Sequence, residues 1–327
     1  MARVLVSGGA GYIGSHAARA LVDAGHDVVV LDDLSAGHAG ALPPAVPLVR
    51  ADMHETAQVV RALTEHRIDA VMHFAAWLDV GASVGNPLGY YRNNVTGTLS
   101  VLEAMRRAGV VQLVFSSTCA TYGEPVRVPM DETLDTRPIN AYGETKLAIE
   151  RALPHIERAH GLRWTALRYF NAAGAHPDGT IGEDHDPEIH LIPRAIRAAT
   201  GGPALRVFGE DYPTPDGTCV RDYIHVCDLA EAHVRALAAL GAGAPSGAYN
   251  VGTGTPHSVR EVIDAVGRVV GQPVRWEGAP RRPGDPAALY ASSDKLQQAL
   301  GWRPQFPDLD TIVRHAWRWH ASHPRGY

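Results

Sequence analysis

The chain has 327 residues, 45% hydrophobic and 20% charged, which supplies enough apolar material for a large α/β domain with a smaller second lobe and excludes disorder. A formal net charge of -5 argues against nucleic acid or an anionic membrane as the main partner, since each favours a basic face. Three cysteines, Cys119, Cys219 and Cys227, are too few and too irregularly spaced for a disulfide framework, and no apolar run approaches the roughly 20 residues that cross a bilayer.

In chain order, short β-branched runs alternate with amphipathic stretches, the pattern of βαβ units in a parallel sheet. Residues 4–6, 28–31, 70–74, 113–115 and 165–168 read as strands. Residues 16–24, 57–66, 95–108 and a long stretch from 142 towards 160 read as helices, with Pro154 expected to kink or break the last. Met1 runs directly into the first strand with no charged-then-apolar leader, so a cytoplasmic protein is expected. Residues 172–179 are rich in Gly, Pro and Asp and read as loop. The expected organisation is a Rossmann-type doubly wound parallel sheet over residues 1–171 and a smaller mixed α/β substrate-binding lobe over 172–327. The second segment includes helices near 228–240 and 258–270 and an isolated strand at 249–251, and part of it can return to the first domain.

The glycines Gly8, Gly11 and Gly14 lie between the first strand and the first helix. There they permit a tight turn, close approach of backbone to a pyrophosphate, and its placement on helix N-terminal amides. Asp32 ends the second strand, where a carboxylate accepts from ribose hydroxyls and repels a 2′-phosphate, so the cofactor is expected to be NAD rather than NADP. Tyr142 and Lys146, four apart at the start of a helix, project from one face. A cationic neighbour favours the phenolate and makes Tyr142 a usable base. The hydroxyl cluster Ser116-Ser117-Thr118 follows the 113–115 strand, at the carboxyl end of the sheet where open α/β folds bind ligands.

The G-x-x-G-x-x-G spacing, the hydroxyl residue and the Y-x-x-x-K pair, in that order, resemble the extended short-chain dehydrogenase/reductase superfamily. Longer strings are similar to the UDP-glucose 4-epimerases within it: Gly11-Tyr12-Ile13-Gly14-Ser15-His16, Leu167-Arg168-Tyr169-Phe170-Asn171, Gly182-Glu183-Asp184, and Val220-Arg221-Asp222-Tyr223-Ile224-His225. This resemblance implies catalysis by Thr118, Tyr142 and Lys146. It gives the cofactor Gly8, Gly11, Tyr12, Ile13, Gly14, Asp32, Asp52, Met53, Phe74, Ala75, Ala76, Asn93, Ser116 and Phe170, besides the Tyr142–Lys146 pair. It gives a UDP-sugar Thr118, Asn171, His190, Leu191, Phe208, Arg221, Arg282, Asp285 and Leu289. It further implies reversible 4-epimerisation of UDP-galactose and UDP-glucose through a 4-keto sugar, and a homodimer paired through helices of the first domain.

Three positions depart from the family pattern. Leu78 stands where many members have a lysine near the nicotinamide, and His190 where many have an asparagine. Leu289 replaces a bulkier aromatic at the position gating the sugar's 2-substituent, so UDP-N-acetylhexosamines are expected as further substrates. Epimerases of UDP-glucuronate, UDP-xylose or UDP-arabinose are the alternative. A 4,6-dehydratase is disfavoured because Cys119-Ala120, not an acidic pair, follow Thr118. No metal centre is expected, since neither His185, Asp186 and His190 nor Cys219, His225 and Cys227 has the paired spacing of a structural zinc site.

Overall fold

The computed structural model describes residues 1–282 and 285–327. Its strands are β1 (Arg3–Ser7), β2 (Asp27–Asp32), β3 (Leu48–Arg50), β4 (Ala70–His73), β5 (Gln112–Ser116), β6 (Arg163–Tyr169) and β7 (Asn171–Ala173). They continue as β8 (Leu205–Phe208), β9 (Val220–His225), β10 (Gly247–Val251), β11 (Pro256–Ser258), β12 (Trp276–Ala279) and β13 (Ala288–Leu289). A seven-stranded parallel sheet has the order β10-β6-β5-β4-β1-β2-β3. Its central strands read as unbroken apolar runs because helices cover both faces. Helices Thr56–Glu65, Gly97–Ala108 and Ala141–His160 bury one face with Leu5, Leu113 and Phe115. Helices Tyr12–Asp23 and Val226–Gly241 bury the other with Val4, Val6 and Met72. The chain leaves β1 towards β2 and β3, then returns to β4 on β1's other side. The carboxyl ends of β1 and β4 therefore flank the crevice where such sheets bind ligands.

Residue 171 is not a clean division. Residues 249–251 belong to β10, the edge strand beside β6, rather than to an isolated strand of a second lobe. Helix Val226–Gly241 likewise packs on the large sheet. The start of the expected loop is β7, which pairs in parallel with β9. The smaller lobe holds a four-stranded sheet of β11, β9, β13 and β7 and a β8–β12 pair, backed by helices Leu191–Ala199, Val259–Val270 and Leu309–Ser322.

Two helices differ from expectation. Ala141–His160 runs unbroken through Pro154. Pro154 sits on the exposed side, and Ile149 and Leu153, buried just before it, hold the helix against the core, so the missing amide costs a bond without ending the helix. The element expected at 95–108 starts earlier, as a π-helical turn Tyr91–Thr96 leading into Gly97–Ala108. Among the described residues no helix is long and apolar enough to cross a membrane.

Candidate active site

The glycines between β1 and the first helix are required by contact as well as by conformation. Gly8 has φ +74°, and a Cβ there would lie 2.4 Å from the Ala75 amide nitrogen; one on Gly14 would lie 2.1 Å from the Gly8 carbonyl oxygen. Gly11 caps helix Tyr12–Asp23 without a side-chain hydrogen bond, so the first amides of the helix meet no capping side chain and face the crevice as anion donors. Asp32 braces this loop: its carboxylate accepts from the amides of Ala10 and Leu34, both at 2.9 Å. Burial raises its pKa, and the two amides pull against that rise. Tyr12 donates to the Gly174 carbonyl at 2.7 Å, and Ile13 packs into the core beneath.

The other residues assigned to the cofactor lie along the same edge. Ala75 donates to the Ser7 carbonyl at 3.1 Å, and Phe74 packs on His233 with Ala76 next along the chain. Met53 is buried against Gly97. Asp52 is half exposed and committed to His54, whose Nδ1 lies 2.6 Å from its carboxylate. Asn93, in the π-helical turn, donates to Asn94 at 3.0 Å. Phe170 is buried with Tyr122 and Met130, and the Ser116 and Tyr169 hydroxyls are 2.7 Å apart.

Thr118, Tyr142 and Lys146 converge just beyond β5. Tyr142 is buried, which pushes its phenol well above the ordinary range, while the nearby Thr118 hydroxyl pulls the other way. Lys146 donates to the Ser116 carbonyl at 2.9 Å, and its ammonium sits 5.0 Å from the Phe115 ring centroid. Burial pulls its pKa down to about 7, opposed by Glu150. A lysine in this state switches charge near neutrality.

Sequence reasoning missed two supports of this centre. Glu150, one turn beyond Lys146, accepts from the Arg168 Nε at 3.0 and 3.1 Å and also bonds the Arg168 terminal nitrogen and the Ser117 hydroxyl. Positions 142, 146 and 150 share one helix face, and that spacing was the available signal. Asn94 accepts from the Trp77 amide at 2.8 Å and donates to Thr145 at 3.1 Å, tying the segment after β4 to the helix of Tyr142. Nothing in its local sequence separates it from Asn93.

The residues assigned to the sugar nucleotide group around β9. Asn171 donates to the Asp222 carbonyl at 3.1 Å. Arg221 donates to Asp285 at 3.1 Å and to the Pro286 carbonyl at 2.9 Å. Arg282 covers Phe208, guanidinium carbon to ring centroid 3.9 Å. Leu289 pairs with Arg221 across β13 and β9 and packs against the Tyr122–Met130–Phe170 cluster. Leu191 opens helix Leu191–Ala199 and packs on its core, preceded by His190, whose Nδ1 turns to Glu183 at 2.6 Å. Leu78 is exposed. Pro283 and Gly284, between Arg282 and Asp285 in sequence, lie outside the described residues.

A glycine loop, an acid at the end of β2 and a buried Thr–Tyr–Lys set are assembled at one sheet edge. The model of the NAD dependent epimerase/dehydratase family matches residues 4–252. The chain belongs to that family. A UDP-glucose 4-epimerase from Halalkalibacterium halodurans is 52% identical over 325 residues, covering 99% of this chain and 97% of its own. A crystal structure of UDP-glucose 4-epimerase from Bifidobacterium longum, in complex with NAD+ and UDP, superposes with a TM-score of 0.94 at 37% identity, covering 99% of this chain and 100% of that one. The structure of the UDP-Glc/GlcNAc 4-epimerase from Campylobacter jejuni gives a TM-score of 0.86 at 40% identity, covering 98% and 100%.

Proposed function

We propose that the protein is an NAD-dependent isomerase that interconverts UDP-galactose and UDP-glucose by inverting carbon 4 of the sugar. The observation that carries this reading is the buried set of Thr118, Tyr142 and Lys146, gathered just beyond β5 at the same sheet edge as the glycine loop. NAD fits the residues present: side chains at Gly8 and Gly14 would strike the loop's own neighbouring backbone, so the glycines keep the loop tight against the start of a helix whose first amides no side chain caps, as a pyrophosphate site requires, and Asp32 offers a carboxylate for ribose hydroxyls. When bound, NAD supplies a hydride acceptor at the sugar's C4 and returns the hydride to the opposite face.

The chain supplies the rest. Thr118 hydrogen-bonds the 4-hydroxyl and passes its proton to Tyr142. Because burial holds the Tyr142 phenol protonated in the free protein, its phenolate must be created by a cation within the closed site. Lys146 is that cation, with Glu150 behind it holding its charge near neutrality. Arg221 and Arg282 are the forks for the diphosphate and Asp285 accepts from ribose, so the nucleotide stays anchored while the 4-keto sugar turns over. Asp52 and Met53 flank the adenine end, and Asn171, His190, Leu191 and Phe208 line the nucleotide's path.

Leu289, smaller than an aromatic residue, supports acceptance of a 2-acetamido group and hence of UDP-N-acetylglucosamine and UDP-N-acetylgalactosamine. A cytoplasmic homodimer completes the reading, supported by exposed apolar Leu88, Tyr91 and Leu99 along the run into helix Gly97–Ala108. The test is to incubate purified protein with UDP-galactose, without added NAD, and follow UDP-glucose. Conversion is expected, lowered 10²- to 10⁴-fold in Tyr142→Phe, the range for a lost acid–base group. No conversion even with NAD supplied overturns the proposal.

A further inference from the structure

One titratable cluster takes no part in that chemistry. Glu183, His185, Glu188 and His190 come from a single loop between β7 and helix Leu191–Ala199, and one donor atom from each lies within 4.8 Å of the others. Asp186, considered with His185 and His190 from the sequence, is not among them. The Nδ1 of His185 is 3.4 Å from Glu183 and 3.6 Å from Glu188. The Nδ1 of His190 is 2.6 Å from Glu183 and 3.4 Å from Glu188. Four ligands placed at tetrahedral corners about 2.0–2.1 Å from a zinc ion are separated by roughly 3.3 Å, close to three of these spacings.

Glu188 accepts from the His190 amide at 2.8 Å, while the other three groups lack a well-directed hydrogen bond. Glu183 is almost wholly buried, yet its Oε1 makes no well-directed hydrogen bond, and neither do the Nδ1 atoms of His185 and His190. These three atoms face one another across the buried cluster, and a shared cation at its centre would satisfy all of them at once. Two carboxylates balance a divalent charge once the metal has displaced the imidazole protons that otherwise pair with those acids, and a mixed N and O donor set suits zinc among first-row ions.

We propose that Glu183, His185, Glu188 and His190 bind one divalent first-row cation, zinc by preference, in a closed structural site. The ion clamps the loop that presents His190 and Leu191, and through His185, whose ring lies 6.2 Å edge-on to Tyr12, fixes it against the glycine loop. Cys219, His225 and Cys227 form no such site among the described residues: the His225 ring is spent on the Cys227 amide and on His315.

The test equilibrates the full chain with zinc, removes free metal and measures bound zinc by mass spectrometry, then repeats the loading with cobalt(II). About one ion per chain, visible absorption of four-coordinate cobalt, and a lower unfolding temperature on chelation are expected. Glu188→Gln and His185→Gln should each lose the ion while keeping native circular dichroism, and Asp186→Asn should keep it. Well under one ion per chain in the unmutated protein overturns the proposal, as does full retention by Glu188→Gln and His185→Gln. Metal content is read independently of epimerisation, so failure here leaves the proposed activity standing.

Discussion

Removing the charge of Glu150 tests whether the reaction centre rests on the ion pair behind it. Arg168 is 10% exposed and Glu150 5%, and two guanidinium nitrogens reach the carboxylate, so the pair is desolvated and bonded from two sides. Glu150→Gln keeps the shape but leaves Arg168 as an uncompensated buried cation, a change that costs about 3–5 kcal/mol. With roughly 2.1 cal/mol/K of unfolding entropy per residue, a chain of this length changes by ~0.7 kcal/mol per degree, so the melting temperature should fall by roughly 4–7 °C. Replacing both partners, Glu150→Leu with Arg168→Met, should recover most of that loss, because the desolvation cost leaves with the charges. Losing Glu150 also removes the group that holds up the Lys146 pKa, so activity of Glu150→Gln should decline at lower pH on the alkaline side than the parent's. Thermal melts and a pH–rate profile read the two effects separately. A melting temperature unchanged in Glu150→Gln would refute the reasoning, since it would mean water already solvates the pair.

Other outcomes follow from single contacts. Gly14→Ala puts a Cβ 2.1 Å from one backbone oxygen and 2.8 Å from the Gly9 Cα, neither of which can yield; nucleotide retained through purification should fall at least tenfold, ~1.4 kcal/mol. Leu289→Tyr should suppress conversion of UDP-N-acetylglucosamine more than that of UDP-glucose, measured as the ratio of their kcat/KM values. Acid should destabilise the fold steeply: burial lowers His16 and His233 to about 4 and His73 and His225 to about 3. Their folded pKa values lie below the unfolded 6.5, so the unfolded chain binds more protons and stability drops as pH falls from 6.5 towards 4. Each histidine contributes up to about 1.4 kcal/mol per pH unit. Melting temperatures equal at pH 7 and pH 5 would contradict this.

What could be read from residue order is what depends on neighbours close in sequence. Gly8, Gly11 and Gly14 announce a turn because their spacing is the turn, and Tyr142 and Lys146 announce a shared face because helical geometry puts them there. Glu150 carried the same information one turn later, but an acid on a helix is usually solvated, and only β6 arriving with Arg168 makes it buried. The placement of β10 was hidden for a similar reason: a short apolar run looks the same whether it joins a small sheet or the edge of a large one. In the 183–190 loop, the sequence set Asp186 beside His185 and His190 and its spacing argued against a metal, whereas the acids that face those histidines are Glu183 and Glu188. Which way a loop side chain points is set by backbone torsions that spacing does not encode.

The position of β10 bears on how the protein is made. A ribosome releases β6 well before helix Val226–Gly241 and β10, and until they emerge β6 offers a bare row of backbone donors and acceptors and an uncovered apolar face. The nascent sheet therefore cannot finish as an early independent unit. A fragment ending at residue 171 should be prone to aggregate, and a chaperone that shields strand edges during synthesis would find its client here before the last third of the chain is translated.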